Sequence, residues 1–141
     1  MIKGIKICGV TDPRTLDFIL NHPHPPKFIG FITNYKKSKR FIEYKKLKKL
    51  INVERKQVNF TSVLVKPTDE ILERIKNLNF DYYQLYDVSP ERTKEIKFKY
   101  KIKIITAITI SNKNDVNKYK DFTDISDIIL FDSKGYHKSE S

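Results

Sequence analysis

Six short runs of β-branched and aromatic residues alternate with segments of helical patterning along the chain. The runs cover residues 5–8, 27–32, 60–65, 81–85, 102–108 and 127–131. Each has strand length and strand composition. Between the first two, Asp12-Pro13 supplies a helix N-cap and a proline at the first helical position, followed by the apolar stripe Leu16, Ile19 and Leu20. Residues 43–51 carry Leu47, Leu50 and Ile51 at helical spacing. Thr68-Asp69-Glu70 opens a third helix, with Ile71, Leu72, Ile75 and Leu78 on one face. Ser89-Pro90-Glu91 opens a fourth that ends near Tyr100, and Ser111 begins a weaker fifth over residues 112–119. Strict βα alternation predicts an α/β protein built on a parallel sheet with helical crossovers.

Two architectures satisfy that order. An open, doubly wound six-stranded sheet is complete at 141 residues. A (β/α)8 barrel needs eight units, roughly 190 residues at about 24 each. Arithmetic alone favours the open sheet, which would read as a binding module. The chain carries no linker or repeat beyond the βα rhythm, so one domain over residues 1–141 is expected. No apolar run approaches the roughly 18 residues of a membrane span, and the lysine-interrupted start lacks a signal-peptide core. A single cysteine, Cys8, excludes a disulfide framework and a cysteine-rich zinc site. These features point to a soluble, reduced, cytoplasmic protein. The formal charge of +11 raises nucleic-acid binding. The excess is lysine scattered along the whole chain, however, which reads as a solvated surface and as a field attractive to phosphorylated small molecules. His22 and His24 lie in a proline-rich connector with no further metal-ligating residues beside them.

In either architecture ligands meet the carboxyl ends of the strands. Cys8-Gly9-Val10-Thr11 follows the first strand, residues 33–40 the second, Tyr86-Asp87 the fourth, and the sixth ends in Asp132. Ile5-Lys6-Ile7-Cys8-Gly9-Val10-Thr11 resembles the opening strand of the phosphoribosylanthranilate isomerases, (β/α)8-barrel enzymes of tryptophan biosynthesis. Gly30-Phe31-Ile32 with Lys37-Ser38-Lys39-Arg40-Phe41-Ile42 is similar to that family's second strand and loop. Gln84-Leu85 matches the start of its Gln-Leu-His-Gly fourth strand, and Ile129-Leu130-Phe131-Asp132 its sixth.

The resemblance implies an incomplete (β/α)8 barrel and an Amadori-type isomerisation without redox cofactor or metal. The substrate would be a phosphorylated small molecule, with no nucleic-acid or membrane partner; nothing in the sequence speaks to oligomeric state. It implies Asp132 as general acid toward the furanose oxygen and Cys8 as general base at the sugar C2. It implies Arg40 as the anthranilate carboxylate's partner, where a guanidinium fork suits a planar carboxylate, and Gln84 as a further substrate-site residue. Alternation along the first strand would turn Lys6 and Cys8 inward and put Ile5 and Ile7 under helices. In the sixth, Leu130 and Asp132 would face inward, and Ile129 and Phe131 the helical layer. Taken singly, a lone cysteine is more often a small buried hydrophobe, and a lone arginine a surface charge.

Four departures accompany the match. The family's histidine is Tyr86 and the next glycine Asp87; a strand-five lysine corresponds to Thr106; the loop before Ser38 is one residue longer. After Asp132 the chain reads Ser133-Lys134-Gly135-Tyr136-His137-Lys138-Ser139-Glu140-Ser141 in place of a glycine-rich loop. Strands seven and eight, whose loops hold the substrate phosphate in the family, are expected to be missing from the sequence, as in a truncated reading of a longer gene. An inactive relative or a non-catalytic open-sheet module is the alternative.

Overall fold

The computed structural model describes residues 4–133. It contains β1 (Lys6–Cys8), α1 (Pro13–Leu20), β2 (Phe28–Ile32), α2 (Tyr44–Leu50), β3 (Asn59–Val65), α3 (Asp69–Ile75), β4 (Tyr82–Tyr86), α4 (Pro90–Tyr100), β5 (Lys103–Thr109) and β6 (Ile128–Asp132). Helix starts follow local chemistry. The Asp12 carboxylate accepts from the amides of Arg14 at 3.0 Å and Thr15 at 3.2 Å. Thr68 and Ser89 cap α3 and α4 in the same way. Between β5 and β6 stands a 3₁₀ helix, Lys113–Asp121, rather than an α-helix. Its cap is Asn112, not Ser111, because Asp115 returns a hydrogen bond to the Asn112 amide and closes a capping box.

Strand order separates the two candidate architectures. All six strands are parallel and lie in the order β1-β2-β3-β4-β5-β6. A doubly wound sheet needs a point where that order reverses; none exists among the described strands. Sequential order with crossovers of one hand puts every helix on one face and curls the sheet as a barrel does. The packing agrees. Leu16, Leu47, Leu72 and Ile96 from four helices join Ile29, Phe31, Phe60, Leu64, Leu85 and Ile104 in one cluster. Complete burial of each such side chain contributes about 2 kcal/mol. The concave face carries two smaller layers: Phe28, Tyr82 and Ile105 below, and Ile32, Val63, Tyr86 and Ala107 above. Small stacked layers of this kind fill barrel interiors.

The outer faces of the two edge strands differ from expectation. Ile5, Ile7 and Phe131 are 71%, 38% and 50% exposed. A strand's outer face is covered by the helices before and after it, and β1 has no preceding helix, nor β6 a following one, among the described residues. Residues 134–141, on which the expectation about the glycine-rich loop rests, lie outside the described residues. Among the described residues no helix is long and apolar enough to cross a membrane.

Candidate active site at the carboxyl ends of the strands

Side-chain parity, carried across the sheet by register, decides what lines the concave face. Cys8 pairs with Gly30, Gly30 with Thr61, and Val63 with Gln84. Tyr86 pairs with Ala107, and Thr109 with Asp132. Lys6, Cys8, Gln84, Tyr86 and Asp132 therefore share the inner face. Gly30 makes room for the first two: a Cβ there would lie 2.9 Å from both the Cys8 Sγ and the Lys6 Nζ. The thiol and the ammonium thus sit side by side over a backbone with no side chain.

Arg40 reaches this group from the β2–α2 loop. Asn34 pins the loop's start by donating to the Val65 carbonyl at 2.7 Å and accepting from the Val65 amide at 2.8 Å. Ile42 pins its end, its amide donating to the Ile32 carbonyl at 3.0 Å. Between these anchors Arg40 Nη1 donates to the Cys8 carbonyl at 3.0 Å. The guanidinium crosses directly over Gly9, whose φ of 85° is left-handed and where a Cβ would come within 2.5 Å of Arg40 Cδ. Lys36, Lys37 and Lys39 of the same loop are exposed and add positive field.

The fourth strand ends one residue later than its composition suggested, and Tyr86 is its last residue. Its hydroxyl donates to Asp132 Oδ2 at 2.9 Å and accepts from Gln84 Nε2 at 3.3 Å. Burial first, then the Asp132 hydrogen bond and charge, push the Tyr86 hydroxyl far above its ordinary range, so it stays a neutral donor. Cys8 also acts electrostatically on this phenol. Gln84 is 2% exposed and its Oε1 has no hydrogen-bond partner. Asp87 takes a left-handed φ of 52°, which explains a glycine in the corresponding pattern; aspartate is among the few other residues that tolerate it.

Three of the four residues singled out from the sequence thus reach the carboxyl end of the sheet, Cys8 and Asp132 on the edge strands and Arg40 above Cys8, while Gln84 lies buried in the middle of β4, one inward position below Tyr86. Tyr86 stands in the sequence as a residue after the fourth strand and as a departure from the family's histidine, and its parity with Gln84 was the signal that it faces inward. Thr106 does not belong to the site. It points to the helical side, where its hydroxyl meets Ser126 Oγ at 2.5 Å, and the inward positions of β5 include Ile105 and Ala107.

Residues 5–138 match the family model described as N-(5'phosphoribosyl)anthranilate (PRA) isomerase. The chain belongs to this family. The N-(5'-phosphoribosyl)anthranilate isomerase of Rhizobium rhizogenes is 33% identical over 136 residues, covering 95% of this chain and 60% of that protein. Among solved structures, the phosphoribosyl anthranilate isomerase of Thermotoga maritima superposes with a TM-score of 0.78 at 25% identity, over 90% of this chain and 60% of that one. A phosphoribosyl anthranilate isomerase solved with reduced 1-(o-carboxyphenylamino)-1-deoxyribulose 5-phosphate gives the same TM-score of 0.78 at 25% identity, covering 90% of this chain and 63% of that chain. The chain spans about 60% of the length of the curated relatives it matches.

Proposed function

We propose that the site serves the isomerisation of N-(5'-phosphoribosyl)anthranilate to 1-(2-carboxyphenylamino)-1-deoxyribulose 5-phosphate in tryptophan biosynthesis, in the cytoplasm. The reading treats residues 1–141 as six of the eight βα units of one barrel domain. The substrate is a phosphorylated small molecule, and the chemistry calls for an acid and a base rather than a cofactor. Asp132 donates its proton to the furanose ring oxygen as the C1–O bond breaks, and the anilino nitrogen's lone pair forms the iminium. The Cys8 thiolate then takes the proton from C2. The electron pair of that C–H bond becomes the C1–C2 double bond and the iminium nitrogen is neutralised. Tautomerisation of the resulting enolamine yields the aminoketose. The Lys6 ammonium and the Cys8 thiol both lie over Gly30, so positive charge stands close to the base. Arg40 binds the anthranilate carboxylate by its fork, and Gln84 contributes its orphaned amide oxygen to the substrate site.

The observation that carries this reading is that an acid, a thiol and a guanidinium from three distant stretches of sequence stand at the carboxyl end of one sheet, with the guanidinium on the carbonyl of the thiol's residue. The test is turnover of the aminoaldose by the full product of the gene. Cys8→Ala and Asp132→Asn are each expected to lower kcat by about 10²- to 10⁴-fold. Unimpaired turnover in both variants would overturn the assignment of roles.

A further inference from the structure

The Tyr86–Asp132 contact bridges two strands that are not neighbours. Tyr86 ends β4, Asp132 ends β6, and β5 runs between them. The residue of β5 paired with Tyr86 is Ala107, the only alanine in the chain. Its methyl group is small enough for the phenol to cross above it and reach the carboxylate. Below, Gln84 Nε2 donates to the phenol oxygen, and the hydroxyl donates in turn to Asp132 Oδ2. The donor order is therefore fixed as Gln84 to Tyr86 to Asp132. Tyr86 is 8% exposed and packs in one cluster with Ala107 and Cys8. Its ring is thus held on several sides before the hydroxyl meets Asp132.

We propose that Tyr86 is the positioning residue for Asp132: its buried phenol holds the carboxylate by Oδ2, with Gln84 fixing the hydroxyl and Ala107 clearing its path. The proposal rests on the reading of Asp132 as the general acid. Among the described residues β6 pairs with β5 alone, and the Tyr86 hydroxyl adds a tether to the acid from β4. A neutral hydroxyl supplies that tether without the charge that a lysine or arginine would bring.

The test uses the full gene product and two readouts. The first is steady-state turnover. Tyr86→Phe removes one hydrogen bond to a charged group and is expected to lower kcat about tenfold with little change in KM. Tyr86→His, which supplies a ring N–H donor in place of the O–H and is the residue of the family's Gln-Leu-His-Gly pattern, is expected to recover most of that loss. Ala107→Leu, which blocks the path while keeping the tyrosine, is expected to match Tyr86→Phe. The second readout is the carboxyl ¹³C resonance of Asp132 in aspartate-labelled protein. It is expected to move in Tyr86→Phe and Ala107→Leu and to stay in Tyr82→Phe, which alters an inward tyrosine of the lower layer. An unmoved resonance and unchanged kcat in Tyr86→Phe, alongside inactive Asp132→Asn, would sink this proposal and leave the acid assignment standing. Full activity in Asp132→Asn would sink the acid assignment, while the resonance would still report whether Tyr86 holds the carboxylate.

Discussion

The two ends of the same six strands use aspartate in opposite ways. At the amino ends, Asp81 and Asp127 stand just before β4 and β6 and perform the same task. Asp81 Oδ2 accepts from the Phe60 amide at 2.7 Å and pairs with Arg55 at 3.4 Å. Asp127 Oδ2 accepts from the Ile104 amide at 2.8 Å and from Lys97 Nζ at 2.6 Å. Each carboxylate stitches its strand to the one before it and is neutralised by a cation from the surrounding layer. Arg55 in turn stacks on the Phe60 ring with its guanidinium carbon 4.4 Å from the centroid. At the carboxyl end, the Asp132 carboxylate accepts from the Tyr86 phenol, and the Arg40 guanidinium donates to the Cys8 carbonyl. One end ties charge down for stability; the other carries an acid, a thiol and a guanidinium at its strand ends and loops. That division matches the rule for barrels, in which chemistry gathers at the carboxyl ends of strands and stability at the amino ends.

Breaking the lower stitch is expected to give the largest change in stability. Asp127→Ala leaves the Ile104 amide and Lys97 without their partner. With partial solvent screening of the exposed ammonium, the loss is about 2 kcal/mol, read as a lower urea midpoint. Burial pushes the Asp127 carboxyl up, but Lys97 and the Ile104 amide outweigh it, so its pKa is lowered on folding. Its contribution is therefore present above the ordinary carboxylate pKa of about 3.9 and lost as pH falls through the lower folded value. Wild-type protein should lose this increment in acid, and Asp127→Ala should not. Matching acid-limb slopes for the two proteins would refute the stitch.

Gly30→Ala probes the upper end and should cost less. The added methyl meets the movable ends of Cys8 and Lys6 at 2.9 Å, so they shift rather than the backbone. About 1 kcal/mol of stability is expected to be lost. The more telling change is at the thiol, whose alkylation rate by iodoacetamide should alter severalfold as the ammonium is displaced. An unaltered rate would mean that the two groups do not depend on the open space over Gly30.

The smallest expected effect belongs to a carboxylate on the carboxyl side that is structural. Lys118 and the Ser111 and Asn112 amides hold Asp115 down to about 2. Its cap on the 3₁₀ helix is thus intact above the ordinary pKa and is lost as pH falls toward about 2. Amide exchange at Ser111 and Asn112 should accelerate over that window and already be fast in Asp115→Ala at neutral pH. Equal exchange in the two proteins would remove the cap from the account.

Much of this arrangement is decided locally and could be read directly. Asp12-Pro13, Thr68-Asp69 and Ser89-Pro90 start helices because the capping oxygen lies within three residues of the amide it satisfies. The six strands fall within one or two residues of their β-branched runs, and alternation alone turns Cys8 inward with Lys6. The resemblance in the motifs around Cys8, Arg40, Gln84 and Asp132 selected the barrel over the open sheet. Strand order lies beyond local patterning, since the same βα rhythm serves a sheet that reverses and one that does not; packing of all four α-helices into one cluster distinguishes them. Likewise the exposure of Ile5, Ile7 and Phe131 depends on which helices flank an edge, and hydrophobicity at those positions carries no trace of it. The Tyr86–Asp132 bond joins residues 46 apart in sequence. It exists only because curvature brings β4 and β6 together across an alanine. Residue identity and parity determined which groups face inward; the curling of the sheet decided which of them touch.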